Sequence, residues 1–133
     1  MVVPSDFIGV DVVRIPFPRG GERRARRYYV EALGLEECGR PCGAKGRGGI
    51  WLRVGGSWLH LAPEEPFAPR KDAFPALRAG SACAVADRLE RQGFEVKRSK
   101  AADGRCHVLI EDPFGNVLEV TDDTGPVDRE FRL

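Results

Sequence analysis

No stretch of this 133-residue chain approaches the eighteen or so consecutive apolar residues that a membrane-crossing helix needs. Met1-Val2-Val3-Pro4-Ser5-Asp6 also lacks the basic start and apolar run of a secretory leader. The expectation is a soluble, cytoplasmic protein without a membrane partner. Charge of one sign is not in excess: 21 Lys and Arg face 20 Asp and Glu, a net of +1. That balance gives no support to a nucleic-acid partner. The four cysteines, Cys38, Cys42, Cys83 and Cys106, lack the spacings of a zinc knuckle. Cys38 and Cys42 read as reduced thiols in an exposed connector, and Cys83, among alanines, as a small core residue. No serine sits in a nucleophile-elbow context. The glycine-rich run from Gly39 to Gly49 is not followed by the helix and lysine of a phosphate-binding loop.

What the chain does have is an internal repeat. Gly56-Ser57-Trp58-Leu59-His60-Leu61 reads onto Gly115-Asn116-Val117-Leu118-Glu119-Val120 at a shift of 59, and Gly34 reads onto Gly93 at the same shift. Each half carries the same order of signals. In the first, Phe7 to Pro18 reads as a strand stopped by Pro16 and Pro18. Gly20-Gly21 opens a helix with Ala25, Tyr28, Tyr29, Ala32 and Leu33 on its inner stripe and Arg23, Arg24, Arg26 and Arg27 on its solvated face. A strand from Leu35 follows, then a hairpin of Ile50–Val54 and Trp58–Leu61. In the second half, Phe74–Ala79 opens, Ala82–Gln92 is helical, Phe94–Val96 is a short strand, and Cys106–Glu111 pairs with Val117–Thr121. The expectation is one α+β domain over residues 1–133, made of two βαβββ modules that form a curved mixed sheet around a cavity. The first repeat covers about 7–62, a linker about 63–73, the second repeat about 74–122, and a tail 123–133.

Two sequence signatures, Ala25-Arg26-Arg27-Tyr28-Tyr29-Val30-Glu31-Ala32-Leu33-Gly34-Leu35 and Asp112-Pro113-Phe114-Gly115-Asn116-Val117-Leu118-Glu119, resemble the vicinal oxygen chelate superfamily. That group includes glyoxalase I, extradiol dioxygenases, fosfomycin-resistance thiol transferases and bleomycin-binding proteins. The resemblance covers Phe7 to Asp122. It implies that metal-dependent members draw ligands from the opening and closing strands of each half. Carried onto this chain, the closing-strand positions are His60 and Glu119, and the opening-strand positions are Val12 and Phe74. Valine and phenylalanine cannot hold a metal, so no cofactor is expected; the alternative is a divalent Fe, Mn, Ni or Zn on His60 and Glu119.

Alternation along the strands places Arg14, Trp58, Ala76, Arg78 and Val117 on the same face as His60, Phe74 and Glu119, and Trp51 and Arg53 join them. Two tryptophans, a phenylalanine and three arginines in one concavity suit a small aromatic or anionic ligand. Trp51, Trp58, Arg14, Arg53, Phe74 and Arg78 are therefore the candidate ligand-binding residues. Two functions stay open: metal-free small-molecule binding, or a glyoxalase-like lyase, isomerase or dioxygenase with His60 and Glu119 as catalytic groups. The resemblance also implies a homodimer. A mutually satisfied structural network is the plain alternative to either function.

Overall fold

The computed structural model describes residues 6–39, 48–100, 102 and 104–123. Two four-stranded sheets organise them. The first has the order β1 (Val12–Pro18), β4 (Ser57–Glu64), β3 (Ile50–Val54), β2 (Glu36–Cys38). The second has the order β5 (Ala76–Ala79), β8 (Val117–Asp122), β7 (Cys106–Glu111), β6 (Val96–Lys100). In each, the opening strand pairs parallel with the closing strand and the other pairings are antiparallel, so the two halves share one plan. This is the expected pair of βαβββ modules. Among the described residues no strand pairing joins the sheets, which are not closed on each other.

Helix α1 (Glu22–Arg26) continues as a π-helical segment, Arg27–Ala32, and Gly34 ends it at φ +81°. The wider winding leaves the adjacent Tyr28 and Tyr29 both buried. Helix α2 (Ala82–Arg91) starts under a Ser81 side chain that accepts the Ala84 amide at 3.1 Å. Ala82, Ala86 and Leu89 face inward. Alternate strand residues (Ile15 and Phe17, Ile50 and Leu52, Leu59 and Leu61, Val108 and Ile110, Leu118 and Val120) turn to these helices and form one core across both modules.

The turn at 112–116 is one joint between modules, beside the Arg88 guanidinium of α2, which donates to the Ala32 and Leu33 carbonyls at the end of the first helix. Asp112 accepts the Tyr29 hydroxyl at 2.6 Å, the Asn116 side-chain amide at 2.9 Å, and the backbone amides of Phe114 and Asn116. Asn116 Nδ2 also donates to the Pro16 carbonyl of β1 at 2.7 Å. Asp112 and Asn116 are buried polar groups, and these bonds meet the cost of their burial. Burial, and then Asp112, push the Tyr29 hydroxyl well above the ordinary tyrosine range, so it stays a donor.

Several boundaries differ from the sequence expectation. Strand β1 begins at Val12, not Phe7, and runs through Pro16 and Pro18 instead of stopping there. It is an edge strand, where a missing N–H costs no ladder bond. Strand β4 extends to Glu64. Pairing of the second sheet starts at the Pro75 carbonyl, which accepts the Glu119 amide at 3.0 Å, so Phe74 precedes β5. Cys83 is not a lone core thiol: it forms a disulfide with Cys106, with the Cα atoms 6.3 Å apart. Cys42 and the tail from residue 124 lie outside the described residues.

Candidate functional site

Pairing fixes the face that each module turns away from the helices. On the first sheet one row runs Val12, Trp58, Arg53, Glu36, and the next runs Arg14, His60, Trp51, Cys38. Every candidate residue of this module lies on that grid, as strand alternation predicts. Arg14 and Arg53 are exposed, Trp58 is half-buried, and Trp51 and His60 are buried at 6% and 5% exposure. The two tryptophans meet edge to face at 6.2 Å. Neither indole face is bare: the Arg53 guanidinium lies over Trp58 at 4.5 Å, and His60 stacks on Trp51 at 3.9 Å. The Arg53–Trp58 contact contributes about 0.5–1 kcal/mol at such an exposed place. His60 Nε2 lies 3.3 Å from the Gly48 carbonyl. A Cβ at Gly49 would press on that ring at 3.0 Å and on the Leu61 carbonyl, so the backbone passes close over His60. Among the described residues the buried Trp51 indole N–H meets no acceptor.

On the second sheet one row runs Ala76, Glu119, Leu109, Lys97 and the next Arg78, Thr121, His107, Ser99. Glu119 finds its partner here: His107 Nδ1 lies 3.2 Å from Glu119 Oε2, with both side chains about a quarter exposed. His107 is not among the candidate residues read from the sequence. The signal was present, because Glu111 facing Val117 across the turn sets Leu109 against Glu119 and puts His107 one diagonal step away. Phe74, 39% exposed, stands outside the paired strand.

One groove reaches both modules. It measures about 890 Å³ and runs between Val10, Val13, the Val54–Trp58 turn and the β5 segment from Pro75 to Gly80, with Thr121 and Asp123. Trp58 of the first face and Arg78 of the second line it together. His60 and Glu119 are not in its walls. Each belongs to its own cluster, one with Trp51 and one with His107.

The donor set can be weighed against the metal alternative. The residue paired with His60 across β1 is Arg14, a fixed positive charge, and the residue paired with Glu119 across β5 is Ala76, which has no donor. Among the described residues no group of three His, Cys, Asp or Glu side chains is placed to share an ion. These neighbours do not fit a cation shared by His60 and Glu119. No helix among the described residues is long and apolar enough to cross a membrane.

Comparison with solved structures places the chain. A glyoxalase family protein of Bacillus anthracis is 33% identical, with a TM-score of 0.82 over 92% of this chain and 100% of that one. TnmS3, an antibiotic binding protein from Streptomyces sp. CB03234, shares the fold at 21% identity and a TM-score of 0.69, over 91% of this chain and all of its own. A lactoylglutathione lyase from Agrobacterium tumefaciens does so at 17% and 0.64, over 90% and 96%. No family model matches the sequence, and no curated protein does. On its identity and full-length overlap with the Bacillus protein, the chain belongs to the glyoxalase/bleomycin resistance/dioxygenase superfamily.

Proposed function

We propose that this protein binds a small planar aromatic or anionic molecule without a metal, in the groove that joins its two modules. One observation carries the reading: Trp58 and Arg78, on outward faces of different sheets, line the same groove. Arg53 already holds a flat cation against the Trp58 ring, so the place accepts planar groups. An anionic ring stacked there gains the charge of Arg53 and Arg78, with Arg14 one row away. Trp51, covered by His60, backs Trp58 edge to face from the adjoining row. Arg14 beside His60 supports the metal-free state. An antibiotic-binding protein of the same fold adds a precedent for sequestration of a small molecule.

Tryptophan fluorescence during titration with 1-anilinonaphthalene-8-sulfonate tests this reading. Saturable quenching is expected, lost in Trp58→Ala and weakened about tenfold in Arg78→Ala, the loss of one charge-assisted contact. Unaltered quenching in both variants would sink the proposal.

The His107–Glu119 contact favours a second reading, a glyoxalase-like lyase or isomerase in which Glu119 takes a proton from carbon next to a carbonyl. Turnover of such a substrate, lost in Glu119→Gln, would select it. We also propose a homodimer. The outer edge strands carry charge (Glu36 and Glu37 on β2; Lys97, Arg98 and Lys100 on β6), as exposed edges commonly do. The opposite edges, β1 and β5, carry only Arg14 and Arg78, and Ile8 and Val10 lie exposed just before β1. Light scattering on the purified chain checks it, with a monomer mass as the contrary result.

A further inference from the structure

The joint between the start of α2 and the start of β7 is closed twice, beside a helix start that is itself capped. Ser81 caps the helix. Asp122, at the end of β8, accepts the Ala82 amide at 2.7 Å with one carboxylate oxygen and the Cys106 amide at 3.0 Å with the other. The Cys83–Cys106 disulfide then links the same two elements covalently. Cys106 points to the helix side of β7, and the next residue, His107, points to the opposite face and meets Glu119. The bond therefore anchors the strand position adjoining the polar pair of the second module.

We propose that Cys83 and Cys106 form a thiol–disulfide exchange site that sets the mobility of the strand carrying His107. In a reducing cytoplasm, disulfides of this kind are transient and used for sensing rather than for bulk stability. Cys106 is 6% exposed and Cys83 is the more exposed residue of the two, so exchange begins there. A dithiol sulfur attacks Cys83 Sγ and Cys106 leaves as a thiolate. The second dithiol sulfur then displaces Cys83. The chain gains two electrons and two protons, and the dithiol becomes a cyclic disulfide. A small disulfide such as oxidised glutathione drives the reverse. With the bond open, the Asp122 bridge and the packing of α2 on the sheet hold the joint, and residues 104–108 open more often.

The test uses the full chain and needs no ligand, so it stands apart from the proposed function. Alkylation in denaturant should label two of the four cysteines before treatment with dithiothreitol and all four after it. Amide exchange over residues 104–108 should quicken about tenfold on reduction and slow again with oxidised glutathione, while the core strand β4 stays unchanged. Cys83→Ser should exchange like the reduced chain and be indifferent to dithiothreitol. Four labelled cysteines before reduction, or equal exchange in both redox states, would overturn the proposal. So would a Cys83→Ser chain that still responds to the reductant.

Discussion

The two modules share a strand plan but have divided the work. The first gathers aromatic and cationic groups on its open face: Trp58 under Arg53, Trp51 against His60, and Arg14 alongside. Its helix has no side-chain cap at Gly21, is only five residues long before it widens, and stands on a tyrosine pair. The second module carries the carboxylate and one imidazole on its face, and its helix is capped by Ser81, bridged by Asp122 and cross-linked through Cys83. A duplicated scaffold can thus carry different side-chain chemistry on its two copies, because each face needs only its own strand register.

The largest effect is expected where the copies meet. Asp112→Ala would strand the Tyr29 hydroxyl, the Asn116 amide and two backbone amides together, and should lower stability by about 3 kcal/mol or more in urea unfolding. Next is the contrast between faces. Trp58→Ala should weaken binding of the sulfonated probe by more than tenfold, whereas Glu119→Gln should change it less than twofold. The reverse ranking, read by fluorescence titration, would move recognition to the second module. Ser81→Ala should cost about 1 kcal/mol in thermal unfolding, because a capped amide is freed at a helix that the first module never caps.

The smallest effect concerns acid. Backbone amides of Ala82 and Cys106 hold the Asp122 carboxyl below the usual aspartate range. Its folded value is the depressed one, so its contribution is present above the unfolded value and is lost as pH falls through the folded value. Unfolding followed from pH 7 down to strongly acidic pH should show less acid destabilisation in Asp122→Asn than in the parent.

Much of this was legible from residue types alone. The shift of 59 places His60 and Glu119 at matching positions of β4 and β8, and alternation put Trp58, Arg14 and Arg53 on one face, because parity along a strand is a local property. What escaped depended on partners distant in sequence. Pro16 and Pro18 punctuate a strand unless one knows that its other side is unpaired, and β1 is such an edge. Cys83 and Cys106, 23 residues apart, carry no spacing signal, since a helix and a strand bring them together. Tyr29 reads as a core aromatic, and nothing local says that its hydroxyl ends on Asp112. The covered faces of both tryptophans were likewise invisible, because the groups that cover them come from the neighbouring strand.

The 112–116 turn has a further consequence for redesign. A single pentapeptide closes its own hairpin and, through Tyr29 and the Pro16 carbonyl, also fixes the first module against the second. The groove lies at the opposite end of β1, so this turn acts as a fulcrum and the groove as the jaw. If the groove binds as proposed, altering the bulk of the turn while leaving every groove-lining side chain in place should change the ligand sizes it takes.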